Sequence, residues 1–255
     1  MGQGVMKRNL KRPDYPQLNM IEIFPLDHEG KKLMCLRDPR NPDSQAIYLN
    51  PEALLVLRLF DGAHSLRDIQ AEIERQYGQT IPVEDLELLT SQLDEAMLLN
   101  SSRYAEHMRK LEREFADARV REAQHSGLSY PEDADDLREW IDGFYAEAAN
   151  DGHVTNSPGK IRGIVSPHID FMRGGKSYAL AYRELRHTDA EVYFIFGTSH
   201  YAENDNPFIL TEKNFLTPFG EVETDGDIIK RLTTECDWDM FEGEFLHKAE
   251  HSIEF

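Results

Sequence analysis

His168 and His200 are the first residues whose surroundings suggest chemistry. His168 lies in the run SPHID (166–170) and His200 in GTSHY (197–201). Each follows an apolar segment that reads as a strand, IRGIVS (161–166) and EVYFIFG (191–197). Open α/β sheets bind ligands beyond the carboxyl ends of their strands. Adjacent strands lie about 4.8 Å apart, so two imidazoles leaving one sheet edge can share a divalent metal at about 2.0–2.1 Å. A lone histidine at a strand end is usually a solvated loop residue. Two at equivalent ends shift the balance toward a shared site. A further cluster closes the chain: in HKAEHSIEF (247–255), Glu250, His251 and Glu254 crowd around the apolar Ile253. Ser199 precedes His200, but no G-x-S-x-G elbow frames it. Sequence neighbours on an extended chain point to opposite sides, which disfavours an activated-serine hydrolase.

The elements that must position these residues read as α/β. GKSYALAYRELR (175–186) is expected to be a helix with Ala179, Tyr182 and Leu185 on one side. PFIL (207–210) reads as another strand and DGDIIKRLTTEC (225–236) as a helix. Strand–helix–strand at this spacing implies a right-handed parallel crossover. Upstream, Pro131 and the acidic residues Glu132, Asp133, Asp135 and Asp136 suit a helix N-terminus. Leu137, Ile141 and Phe144 or Tyr145 should face inward there. The acidic cluster reads as a solvated helix end rather than a cation site. A polar loop is expected over 151–160.

The first hundred residues have a different character. Residues 1–19 are polar, with Pro13 and Pro16, and read as a flexible lead. MIEIFPLDHEGKKLMCLRD reads as two strands around a turn at Asp27–Gly30, and AIYL (46–49) as a third. Three helices follow: one from Asn50-Pro51 to Gly62, one capped by Ser65 with Asp68 in capping-box position and closed by Gly78, and one from about Pro82. Leu86, Leu89, Leu93 and Met97 are spaced to share a face of the third. Tyr104, Met108, Leu111 and Phe115 form a stripe on a connector helix over 102–122. The expected organisation is a small α+β domain at 20–101, the connector, and an α/β domain at 123–255.

Composition limits the function. With 28 Lys+Arg against 47 Asp+Glu the formal charge is −19, a surface that repels phosphate backbones and disfavours general nucleic-acid binding. No apolar run approaches the roughly 20 residues of a membrane span, and no signal-peptide core is visible. Cys35 and Cys236 fall in different expected domains, so a disulfide framework is not expected and a reducing cytoplasm is the simpler setting.

Two resemblances add to this reading. The stretch from Leu54 to Asn100, with its D-G turn, its S-x-x-D-I helix opening and its Leu-rich final helix, resembles the PqqD-like winged-helix modules. That implies recruitment of a peptide or of a partner such as a radical enzyme; a generic winged-helix adaptor is the alternative. The stretch from His125 to Phe255 resembles the Memo family, many of whose bacterial members are named AmmeMemoRadiSam system protein B. The family's H-A-G-S-W-Y, P-H-A-G-Y, G-P-S-H-H, T-P-L-G and E-H-S-I-E landmarks read here, in the same order, as HSGLSY (125–130), SPHIDFMRGG (166–175), GTSHY (197–201), LTPFG (216–220) and EHSIEF (250–255).

The Memo resemblance implies an α/β fold like that of class III extradiol dioxygenases and a non-haem divalent metal, iron or copper. His168 and His200 match the first two metal-lining positions. His251 and Glu254 match the cleft residues of H-S-I-E, as acid/base groups or as the third ligand. The family's later S-D-F-x-H segment and cysteine have no counterpart in these 255 residues, so the resemblance implies a domain cut at its C-terminal side. Three departures bear on the site. Asp170 adds a carboxylate that could brace an imidazole or, more simply, pair with Arg173. Tyr201 puts a phenol where the family has a second histidine. The glycines of RGG (173–175) either free N–H groups for an anion or make a plain loop-to-helix turn. Without catalysis of its own, the protein would be an adaptor or scaffold.

Overall fold

The computed structural model describes residues 14–41, 43–150, 161–202 and 205–255. The chain divides into two compact units, Met1–Glu114 and Phe115–Phe255.

In the first unit, β1 (Glu22–His28), β2 (Lys31–Arg37) and β3 (Ile47–Leu49) form an antiparallel sheet in that order. The expected β1–β2 turn is present: the Gly30 N–H donates to Asp27 Oδ1 at 3.1 Å. The helix expected from Asn50 to Gly62 is shorter. A 3-10 turn at Pro51–Ala53 leads into α1 (Leu54–Leu57), and the Asn50 side chain makes no capping bond. α1 ends in local i→i+3 bonds, Leu59 N–H to Val56 O and Phe60 N–H to Leu57 O, and beyond it the lead takes over the backbone. Leu18 N–H donates to Phe60 O at 2.9 Å and Gly62 N–H donates to Pro16 O at 2.8 Å. Asn19 N–H reaches Leu98 O, and Asn100 N–H reaches Gln17 O. Residues 16–19 are therefore pinned by backbone bonds, not a flexible lead; residues 1–13, Pro13 included, lie outside the described residues.

α2 (Leu66–Tyr77) has the expected capping box between Ser65 and Asp68, and Gly78 closes it at φ 65°. α3 (Val83–Glu95) buries Leu86 and Leu93 but stops before Met97. Met97 N–H donates to Asp94 O and Leu98 N–H to Leu93 O, the paired bonds of a Schellman ending. Met97 occupies its left-handed position at φ 62°. Leu36, Ile69, Ile73, Leu86, Leu93 and Leu98 make the centre of this unit's core.

α4 (Ser102–Asp117) runs from the first unit into the second. Tyr104, Leu111 and Phe115 are buried, while Met108 is only partly so. The helix expected to continue to 122 ends at Asp117. The buried Lys213 ammonium donates to the carbonyls of Ala116 (3.4 Å) and Ala118 (2.8 Å), supplying the cation that helix C-termini favour. The chain then enters β4 (Val120–Arg121), which pairs in parallel with β5 (Asn214–Thr217); β5 in turn pairs antiparallel with β6 (Gly220–Val222).

α5 (Ala134–Ala149) begins where the acidic run suggests, with Asp133 accepting from the Asp135 and Asp136 N–H groups. The helix after His168 starts earlier than expected. It is α6 (Phe171–Tyr182), capped by Asp170 and followed by a 3-10 stretch, Arg183–His187. Gly174 and Gly175 thus lie inside it, and neither the anion cradle nor the turn read for RGG is formed. A Cβ on Gly175 would sit 2.5 Å from Phe144 Cδ1, so its absence lets α5 and α6 close on each other. α7 (Gly226–Glu235) lies where a helix over 225–236 is expected, and Asp225 caps it.

The parallel crossover is not built. Residues 161–166, 191–197 and 207–210 belong to no strand. A parallel strand needs a ladder partner and cover on both faces, and here Val165 is 96% and Phe196 75% exposed. The LTPFG run instead forms the β5–β6 hairpin, with Thr217 opposite Gly220. The polar loop expected at 151–160 lies outside the described residues. No helix among the described residues is long and apolar enough to cross a membrane.

Candidate functional site

Three loops of the second unit bring His168, His200 and His251 together. One donor nitrogen from each lies within 4.8 Å of the others. The ring centroids are 5.1 Å apart for His168 and His200, 5.6 Å for His168 and His251, and 4.7 Å for His200 and His251.

Each histidine is placed by a different local device. His168 sits just ahead of the Asp170 cap of α6, and the Tyr178 hydroxyl donates to Ile169 O at 2.9 Å. One turn on, Phe171 packs against Trp140, Tyr178 and Phe255. His200 is placed by the 250–253 run. Ser252 Oγ donates to Thr198 O at 2.9 Å, and a Cβ on Gly197 would meet Ser252 Oγ at 2.5 Å and Ile253 Cγ1 at 2.6 Å. His251 sits in the turn closed by Phe255 N–H on its carbonyl at 3.1 Å.

Glu250 is buried and organises the pair. Its Oε2 accepts the His200 N–H at 3.1 Å, and its Oε1 faces His200 Nδ1 at 3.0 Å and accepts from Ser252 N–H at 3.0 Å. A carboxylate on Nδ1 fixes the imidazole tautomer and leaves Nε2 as the donor for a ligand. Burial works to raise the Glu250 pKa, but the Ser252 and His200 N–H groups and the His200 ring outweigh it and hold it low. Burial lowers the His251 pKa; Glu250 opposes this, and the imidazoles of His200, His125 and His168 reinforce it. The neutral imidazole so favoured is the form that can ligate a metal.

Glu254 has another task. It forms a buried ion pair with Arg121 and accepts from Gln124 N–H (3.2 Å), His125 N–H (2.7 Å) and the Tyr130 hydroxyl (2.6 Å). Burial raises its pKa, but Arg121 first, then Tyr130 and His125, pull it below the usual carboxylate range. Asp170 takes the simpler of its two readings: it caps α6 and pairs with the exposed Arg173, Nε to Oδ2, at 3.3 Å. Tyr201 stands beside the cluster, its ring 6.2 Å from that of His200. Ser199 is exposed on the same loop. Sequence reasoning named Glu250 in the closing cluster without giving it a role, and missed Arg121 as part of the site. Glu250 was marked by its place beside His251. Arg121 left no signal, because its surroundings read as the end of a helix.

The site is a cluster of three imidazoles, one held by a buried carboxylate, on a mixed α/β scaffold: a donor set of the kind that suits a transition metal. Residues 121–255 match the family described as Memo-like protein. A MEMO1 family protein of Aquifex aeolicus is 30% identical over 235 residues, covering 92% of this chain and 60% of that protein. One from Thermus thermophilus is 26% identical over 191 residues, 74% of this chain and 56% of that protein. The chain belongs to the Memo family, and spans less than two thirds of the length of these relatives. No solved structure matches it significantly.

Proposed function

We propose that this chain is a metal-binding Memo-family protein of the AmmeMemoRadiSam system protein B type, with His168, His200 and His251 as ligands to a divalent metal. The observation that carries the reading is the convergence of three imidazole donors within 4.8 Å. Imidazole suits iron and copper among other transition metals, and the family resemblance favours those two. The donor set fits: the pKa of His251 is lowered toward the neutral form, and Glu250 holds Nδ1 of His200. A bound metal with open positions would supply Lewis-acid or redox chemistry, as in a dioxygenase-like reaction. Glu250 orients His200, and the Tyr201 phenol stands at the edge of the cluster to handle a proton. Glu254 serves as an anchor within the buried ion pair. The test is titration of the chain with Fe²⁺ and Cu²⁺, beside His168→Ala and His200→Ala. Tight binding lost in both variants is expected; equal affinity in all three removes the reading.

A second reading is favoured by β1. Among the described residues it is an edge strand of its sheet, with Ile23, Phe24 and Leu26 exposed by 36–40%. Such an edge can accept an extended peptide as an added strand. An adaptor role for residues 20–101, capturing a peptide free or presented by a radical-enzyme partner, agrees with the PqqD-like winged-helix resemblance. Amide NMR shifts confined to β1 on adding an extended peptide would support it, and shifts elsewhere with β1 silent would count against it.

A further inference from the structure

Arg121 is the largest of the most deeply buried side chains, 1% exposed, on a strand of two residues. A guanidinium is costly to bury unless all its donors are used. Here they are spent on one segment. Nε donates to His247 O at 3.0 Å, and Nη2 donates to Lys248 O at 3.2 Å and Glu250 O at 2.9 Å. Nη1 pairs with the Glu254 carboxylate. The guanidinium carbon lies over the Phe215 ring, 5.2 Å from its centre; Phe215 is contributed by the neighbouring strand β5. The residues so gripped bracket the two that build the histidine cluster: Glu250, which holds His200, and His251 itself. Glu254 continues the grip to the Gln124 and His125 N–H groups just beyond β4.

We propose that Arg121 is a positioning residue of the three-histidine centre, acting with Glu254 to hold the 247–254 segment so that Glu250 and His251 meet His200 and His168. The guanidinium touches none of the three rings. It fixes the carbonyl of Glu250, and the Glu250 side chain then grips both the His200 N–H and the Ser252 N–H. Lysine cannot reproduce this, because one ammonium has no planar fork to span three carbonyls and a carboxylate. The proposal rests on the metal reading only for its effect on affinity; the placement of the rings is measurable without metal.

The test compares the full chain with Arg121→Lys, Glu254→Gln and Lys213→Met. Lys213→Met removes another buried cation of the same unit, one that bonds the end of α4 and pairs with Glu244 at 3.7 Å but bonds none of residues 247–254, and so controls for lost stability. Two readouts are taken: imidazole nitrogen NMR of the metal-free chain, and Co²⁺ titration followed by absorption. Arg121→Lys and Glu254→Gln are expected to shift the His200 and His251 ring signals and to weaken Co²⁺ binding by about 10–100-fold, the usual cost of losing support around metal ligands. Lys213→Met is expected to change neither. Unchanged ring signals in folded Arg121→Lys overturn the proposal, as does equal loosening in Lys213→Met. If Arg121→Lys does not fold, the near-isosteric Glu254→Gln decides on the same readouts. If the unaltered chain takes up no Co²⁺, the metal reading fails, and the ring signals still decide the positioning role.

Discussion

Replacing Glu254 by alanine should destabilise the Phe115–Phe255 unit more than almost any other single substitution. Its carboxylate accepts from Gln124, His125 and Tyr130 and balances a guanidinium that is 1% exposed. Each buried donor left without an acceptor costs about 1–3 kcal/mol, which for three donors reaches about 3–9 kcal/mol as an upper bound. Those losses share one carboxylate and do not add independently. Breaking a buried pair from one side costs about 3–5 kcal/mol, and that is the expected range. With a urea dependence of about 2 kcal/mol per M, the midpoint moves down by roughly 1.5–2.5 M. The chain's two tryptophans, Trp140 and Trp238, both lie in this unit, so fluorescence in urea reports on it directly. The folded-state pKa of Glu254 is depressed below 4.5. Its stabilisation is therefore present above pH 4.5 and drains away as pH falls through the folded value, because the unfolded chain takes up its proton first. The gap between the natural chain and Glu254→Ala should be full at pH 7 and narrow below pH 4.5. A loss under about 1 kcal/mol at neutral pH, or a gap that widens in acid, would refute the reasoning.

Other substitutions probe packing and the site. Gly175→Ala places a methyl 2.5 Å from the Phe144 ring and should cost about 1–3 kcal/mol as an overpacked helix contact, read as a lowered Tm. Met97→Gly relieves a left-handed methionine at φ 62° and should raise the Tm by the equivalent of roughly 0.5–1 kcal/mol. Glu250→Gln should weaken Co²⁺ binding by about 10–100-fold, with Co²⁺ titration as the measure. Because the pKa of His251 is lowered from 6.5, protons compete for it less than for an ordinary imidazole; Co²⁺ affinity should fall on acidification, checked by titration across pH.

Much of the helical framework was legible in the sequence, because caps and apolar spacing are local. Ser65 with Asp68, Asp133 and Asp225 all stand at real helix starts. What spacing could not show were events decided by distant partners. Nothing near Asp117 stops α4; Lys213, almost a hundred residues away, does. The backbone groups beyond α1, Phe60 O and Gly62 N–H, are taken by Leu18 and Pro16 of the distant lead. The two glycines of RGG resemble a loop, and only the close packing of Phe144 on Gly175 and of Ile169 and Tyr178 on Gly174 explains why they lie inside α6.

The histidine cluster was legible for a reason other than the one its placement suggested. The sequence pairs His168 and His200 through two neighbouring parallel strands that would deliver them to one sheet edge. Those strands are not formed, yet the rings stand 5.1 Å apart. The agent is the run Glu250–Ile253, which meets the 197–200 loop through a carboxylate, a hydroxyl and a close glycine contact. The organising information is thus carried by a short polar motif and not by sheet topology. This places the demand for precision on whatever holds that motif, and its carbonyls and closing carboxylate converge on the guanidinium of Arg121. A cluster built this way should tolerate changes along 161–166 and 191–196 far better than any change that loosens 247–254.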